Sequence, residues 1–155
     1  MKRFQWPLQQ LLEVTIQREL VLRAELFRLA RDITAVHQEI FRRKASLRAA
    51  IAQLAELDVN ERLPRQQVFM WYSAVEESHL AGLRGVLADL QRQRSEKMAA
   101  FKKANRSRET LDRLREEALR RHTREALKQE QKQLDESSQV AFARKLIARR
   151  AGGPG

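Results

Sequence analysis

Residues 8–57 read LQQLLEVTIQRELVLRAELFRLARDITAVHQEIFRRKASLRAAIAQLAEL. Taken in alternating steps of four and three from Leu8, positions 8, 12, 15, 19, 22, 26, 29, 33, 36, 40, 43, 47, 50, 54 and 57 are Leu, Leu, Thr, Glu, Leu, Leu, Leu, Ile, Val, Ile, Arg, Leu, Ala, Leu and Leu. Twelve of these fifteen are apolar. A 3.5-residue period held over seven heptads predicts a coiled-coil seam rather than the face of an ordinary globular helix. A helix of about 50 residues would run about 75 Å.

Glycine and proline are placed to permit this. The stretch Leu8–Leu63 contains neither, and the stretch Val86–Ala151 contains neither. Turns and strand ends usually need them, so two very long helices are expected. Between them lies Asp58-Val59-Asn60-Glu61-Arg62-Leu63-Pro64. Asn60 accepts turn conformations, and Pro64 disfavours helix at the residue before it while suiting the first turn of the next. The expectation is helix over about 5–58, a tip at 59–64, helix over about 65–149, and a disordered tail at 152–155.

The second helix is less regular. Val68, Tyr72, Val75 and His79 start its seam, and Leu83, Leu87, Leu90, Phe101, Ala104 and Leu111 continue it. This places a stutter beside Gly82, which would locally unwind the coil. Gly82 and Gly85 mark either a bend or a close backbone approach. Arg94, Lys97 and Arg108 fall on the seam, where long basic side chains can lie along it with their heads in water. A short break returns the chain on itself, so the predicted fold is all-α: a long antiparallel two-helix coiled coil, an αα-hairpin in a single domain over 1–151. Pairing outward from the break sets Leu57 near Val68 and Leu8 near residues 115–118. A helical overhang without an intramolecular partner then begins at about residue 120. It carries nine Lys/Arg against four Asp/Glu.

Composition narrows the function. The 155 residues carry 31 Lys+Arg against 20 Asp+Glu, a net charge of +11, with 43% hydrophobic residues and no cysteine. That is too apolar for a disordered chain. Disulfides and thiol chemistry are excluded. No apolar run is long enough for a bilayer span, and no long apolar stretch follows Lys2-Arg3 as a secretory signal would require. His37, His79 and His122 are dispersed, and no glycine-rich phosphate loop is present. Carboxylate pairs such as Glu76-Glu77 and Glu116-Glu117 read as solvated helix faces. No catalytic residue, metal or cofactor is expected.

Two stretches read as binding surfaces. Val68-Phe69-Met70-Trp71-Tyr72 is five consecutive apolar residues, about 100° apart around a helix. A two-stranded seam buries two or three of them. The rest are either exposed anchors or close the tip against Leu57, Val59 and Leu63. The second is the overhang, where Leu127, Leu134 and Ala141 keep a heptad stripe. It either docks to another protein or is a frayed helix end.

The two ends of the chain resemble a known family. Arg3-Phe4-Gln5-Trp6-Pro7-Leu8-Gln9-Gln10-Leu11-Leu12 is similar to the start of flagellar FliJ proteins, with aromatics two apart, a leucine, then a leucine pair. Gln131-Lys132-Gln133-Leu134-Asp135-Glu136 resembles that family's Gln-Lys-x-x-Asp-Glu motif, and Arg144 follows it. Pro7 departs from the pattern and would start the helix slightly late. The resemblance implies a cytoplasmic stalk and chaperone-handling component of the flagellar type III export apparatus. Its implied partners are the export ATPase and its regulator, the cytoplasmic ring of the export gate, and export chaperones. Through them it would lie at the cytoplasmic face of the inner membrane. The resemblance assigns ATPase docking to Phe4, Trp6, Leu8, Leu11, Leu12, Gln131, Lys132, Asp135 and Glu136, with Arg144 after that motif; the overhang stripe adds Leu127, Leu134 and Phe142. Phe69, Met70, Trp71 and Tyr72 would face the gate. Two other readings stand beside it. One is a basic coiled coil that binds nucleic acid, against which Glu125, Glu130, Asp135 and Glu136 are interleaved in the overhang. The other is a structural coiled coil that dimerises through its overhang.

Overall fold

The structure, a computed structural model, describes residues 3–151. Two α-helices account for nearly all of them: α1, Gln9–Ala55, and α2, Val59–Ala151. They pack against each other as an all-α helical hairpin. Cross-helix partners fix the direction. Arg43 meets Glu76, Glu25 meets Lys97, and Arg23 lies over the Phe101 ring. As one number falls the other rises, so the helices run antiparallel. The expected tail at 152–155 lies outside the described residues.

The helix ends differ from expectation, each for a local reason. α1 begins at Gln9, not near residue 5, because Pro7 sits in a turn closed by Gln9 N–H donating to the Trp6 carbonyl at 3.2 Å. At the tip the break occupies only residues 56–58, and the expected tip at 59–64 is already helix. The Asp58 carbonyl accepts from Glu61 N–H at 3.1 Å and Arg62 N–H at 2.9 Å, which opens α2. The Arg62 guanidinium then donates back to the carbonyls of Ala55 at 3.0 Å and Leu57 at 2.9 Å. The Ala55 carbonyl ends α1 and the Leu57 carbonyl lies in the break, and neither has an intrahelical donor. One arginine therefore closes α1 and anchors the first turn of α2. Pro64 falls inside α2, and Leu63 before it is helical. The missing proline N–H deprives the Asn60 carbonyl, which sits in an exposed first turn where water serves instead.

The α1 seam is laid out as the heptads predict. Of the fifteen seam positions, all but Leu8 are buried or half-buried. The three polar ones each have a partner. Thr15 donates its hydroxyl to the Leu11 carbonyl at 2.8 Å, the Glu19 carboxylate accepts from Arg23 at 3.2 Å, and Arg43 pairs with Glu76 at 3.0 Å. A buried polar group costs little once it is hydrogen-bonded.

The α2 seam needs a correction. Of the expected start on Val68, Tyr72, Val75 and His79, Tyr72 and Val75 are half-buried but Val68 and His79 are exposed, whereas Phe69, Ser73, Glu76 and Leu80 all face inward. Leu80 is the most enclosed large side chain, 2% exposed. From residue 69 the steps of four and three run through 73, 76, 80, 83, 87, 90, 94, 97, 101, 104, 108 and 111 with no stutter, and of these only Arg94, expected on the seam, is exposed. Gly82 and Gly85 lie off that seam. A Cβ built at either meets nothing within 4 Å, and neither has a positive φ. They mark neither a close approach nor a left-handed turn.

The chain divides into two compact units. Ile16–Arg106 holds the tip and most of the core, with Leu22, Leu29, Ile33, Leu80 and Ala104 buried. The other joins residues 3–15 to 107–151, with Leu12 and Leu111 as its buried residues. Each enclosed leucine contributes about 1.5–3 kcal/mol of apolar burial.

Candidate functional site

In the unit that joins the chain's two ends, residues 3–8 precede α1, and one of them reaches α2. Phe4 packs edge-on against His122, ring centroids 5.5 Å apart with the planes at 66°. Edge-to-face contact suits the ring quadrupoles. Phe4 and Trp6 are half-buried, Leu8 and Leu11 are exposed, and Leu12 is 2% exposed. Leu12 is thus taken up by the core, while Leu11 points outward.

The same segment moves the start of the overhang. Cover on α2 extends through His122 to Ala126, not to about residue 120. Residues 127–150 are all exposed. Leu127, Leu134, Phe142, Gln131, Asp135 and Arg144 are among them. Lys132 and Glu136 form a loose i,i+4 pair at 3.9 Å. Such pairs, and Ser137 bonding the Leu134 carbonyl at 2.9 Å, are the local support of this segment. Leu127 and Leu134 make a narrow stripe, but Val140, Phe142, Leu146 and Ile147 are also exposed and distribute apolar surface around the helix. Phe4 touches α2 at His122, about two and a half turns short of Gln131, so the two halves of the FliJ-like pattern lie along one helix without meeting.

The tip surface belongs to the unit Ile16–Arg106. The five apolar residues divide as helical geometry requires. Phe69 and Tyr72 turn inward and are half-buried; Val68, Met70 and Trp71 are exposed. Phe69 lines a shallow depression with Ile51, Leu54, Ala55, Arg62 and Gln66. Val59 and Leu63 remain exposed, so closure of the tip is left to Phe69 and Leu57.

The electrostatic centre of that unit is the cluster Glu39, Arg42, Arg43 and Glu76. Glu39 accepts from Arg42 at 2.9 and 2.8 Å and from Arg43 at 2.8 Å, and Arg43 spans to both Glu76 oxygens at 3.1 and 3.0 Å. The Arg42 hydrogen bonds hold the Glu39 carboxyl below its ordinary value, with Arg43 adding to them. The hydrogen bond to Glu76 raises Arg43. Neither the aromatic group nor the overhang would have suggested this pair. Its signal was Arg43 on a mostly apolar seam.

Among the described residues, no group of His, Asp and Glu is placed to hold a metal ion, and no helix is long and apolar enough to cross a membrane. Comparison with protein-family models, with curated proteins and with solved structures gave no match.

Proposed function

We propose that this chain is a stalk-type component of a flagellar-kind type III export apparatus, acting by docking rather than by catalysis. The observation that carries the reading is the exposed continuation of α2 from Leu127, which displays Leu127, Leu134 and Phe142 to solvent beside Gln131-Lys132 and Asp135-Glu136. Exposed apolar residues grouped on one element are typical of interfaces. The FliJ-like residues at both ends of the chain supply the identity of the partner: the export ATPase with its regulator. Phe4, Trp6, Leu8 and Leu11 lie in the same unit as that extension and would add to the docking end. Met70 and Trp71, with Phe69 and Tyr72 beneath them, would meet the cytoplasmic ring of the export gate, and chaperone handling belongs to the same reading. Such a protein would work at the cytoplasmic face of the inner membrane through its partners. Interleaved acids in the extension disfavour specific nucleic-acid binding, since each would repel a phosphate.

Docked leucines commonly cost more than about 1 kcal/mol when truncated. Leu127→Ala with Leu134→Ala is therefore expected to reduce stimulation of the export ATPase by about tenfold in effective concentration. Helicity and melting of the paired region stay unchanged, because both residues lie beyond its cover. Hydrolysis rate against added protein is the readout, with circular dichroism for the fold. Stimulation equal to wild type would remove the extension as the docking surface.

A further inference from the structure

The charges of α1 are sorted by side. From residue 19 to residue 55 its acids are Glu19, Glu25, Asp32 and Glu39, and all four are buried or half-buried toward the seam. Glu25 pairs with Lys97 at 2.6 Å, and Glu39 with Arg42 and Arg43. The outward face over residues 20–48 carries Arg28, Arg31, Arg42, Lys44 and Arg48 and no acid. Arg28, Arg31, Lys44 and Arg48 make no hydrogen bond or ion pair among the described residues.

Large apolar side chains stand among these bases. Phe27 is 80% exposed and Phe41 70%, and Leu20 and Val21 are also exposed. Leu20, Phe27, Thr34 and Phe41 are seven apart, and Ala24, Arg31, Gln38 and Ala45 follow each by four. α1 thus carries a second line of heptad spacing on the side away from its seam. It lies wholly within the unit Ile16–Arg106.

We infer that this outer face of α1 docks an acidic amphipathic helix of a protein partner. The heptad spacing fits a helix laid alongside, whose apolar residues interdigitate between Leu20, Phe27 and Phe41. The charge sets the partner's flanks: glutamates or aspartates beside its apolar stripe meet arginines on both sides of this one. A second copy of the same face is disfavoured, since it would bring five bases against five. A lipid surface is disfavoured by Arg31, Thr34 and Gln38, which interrupt the stripe where insertion needs a broad apolar face. The surface is independent of the stalk reading and shares no residue with the extension of α2.

The test uses the full chain and a synthetic four-heptad peptide, with leucine at both seam positions of each heptad and glutamate beside them. A control peptide carries lysine in place of glutamate. Titration by fluorescence anisotropy is expected to show binding of the acidic peptide that weakens as salt rises, and none of the lysine peptide. Phe27→Ser with Phe41→Ser is expected to weaken binding about tenfold. Both side chains are mostly exposed, so the melting curve stays unchanged. Leu127→Ala with Leu134→Ala leaves peptide binding at the wild-type level. Failure of the acidic peptide to bind, or binding indifferent to the Phe27 and Phe41 changes, overturns the inference. So does equal loss, in the same double variant, of binding to phosphatidylglycerol vesicles or duplex DNA, or of self-association in sedimentation. Each of those would assign the face to a different occupant.

Discussion

Leu80→Ala is expected to lower the free energy of unfolding by about 2–5 kcal/mol, while His79→Ala changes it by less than about 0.5 kcal/mol. The two positions are adjacent in sequence and about 100° apart around the helix. Leu80 is enclosed between the helices at 2% exposure, and its removal leaves a cavity that a close-packed seam cannot fill. His79 faces solvent. Urea denaturation followed by circular dichroism gives both numbers. A larger loss at His79 than at Leu80 would return the α2 seam to the phase with a stutter.

The second large effect has the opposite sign. Gly82→Ala with Gly85→Ala is expected to raise stability by about 2 kcal/mol in total, since each glycine inside a helix costs about 0.8–1 kcal/mol against alanine. Nothing opposes the gain, because the added Cβ at either position meets open space and neither backbone is left-handed. For a chain of this size that is about 4–8 °C in the melting midpoint. A fall in the midpoint would mean that α2 bends at these residues in solution and that a Cβ collides there.

What was legible in the sequence follows from how many residues spoke together. The α1 seam was readable because fifteen positions repeat one period, and the few polar intruders, Thr15, Glu19 and Arg43, could not hide it. The start of α2 was not. Val68 to Tyr72 offers an apolar residue in every phase, and the true seam passes through Ser73 and Glu76. Glu76 becomes a seam residue only through Arg43, on the other helix, so no reading of α2 alone could find it. The tip failed for a related reason. The rule that helices stop before proline is a local preference, and it lost to Arg62 bonding the Ala55 and Leu57 carbonyls together with the Asp58 carbonyl opening α2. The overhang was foreseen, but its start was set too early, since the turn at Pro7 and the contact of Phe4 with His122 extend the cover.

The candidate surfaces divide the same way. That some of Phe69, Met70 and Trp71 must be exposed followed from 100° per residue, and Met70 and Trp71 are. Which leucine of the opening pair turns inward depended on the seam, and Leu12 was already on it. The outer stripe of α1 is hard to read because the stronger heptad line of the seam overlies a second, weaker one. Its signal was present in the sequence: the acids of α1 at 25, 32 and 39 repeat every seven residues, always on the seam side, while bases occupy the outer positions.

The pairing of Arg43 with Glu76 tests the hairpin itself. Arg43→Glu and Glu76→Arg are each expected to lower the denaturation midpoint, because each sets like charges against each other between the helices. Combining them restores an ion pair of reversed sense and recovers most of the loss, independently of protein concentration. If the double variant instead loses the sum of the two single effects, Arg43 and Glu76 are not neighbours, and the antiparallel register proposed for α1 and α2 is contradicted.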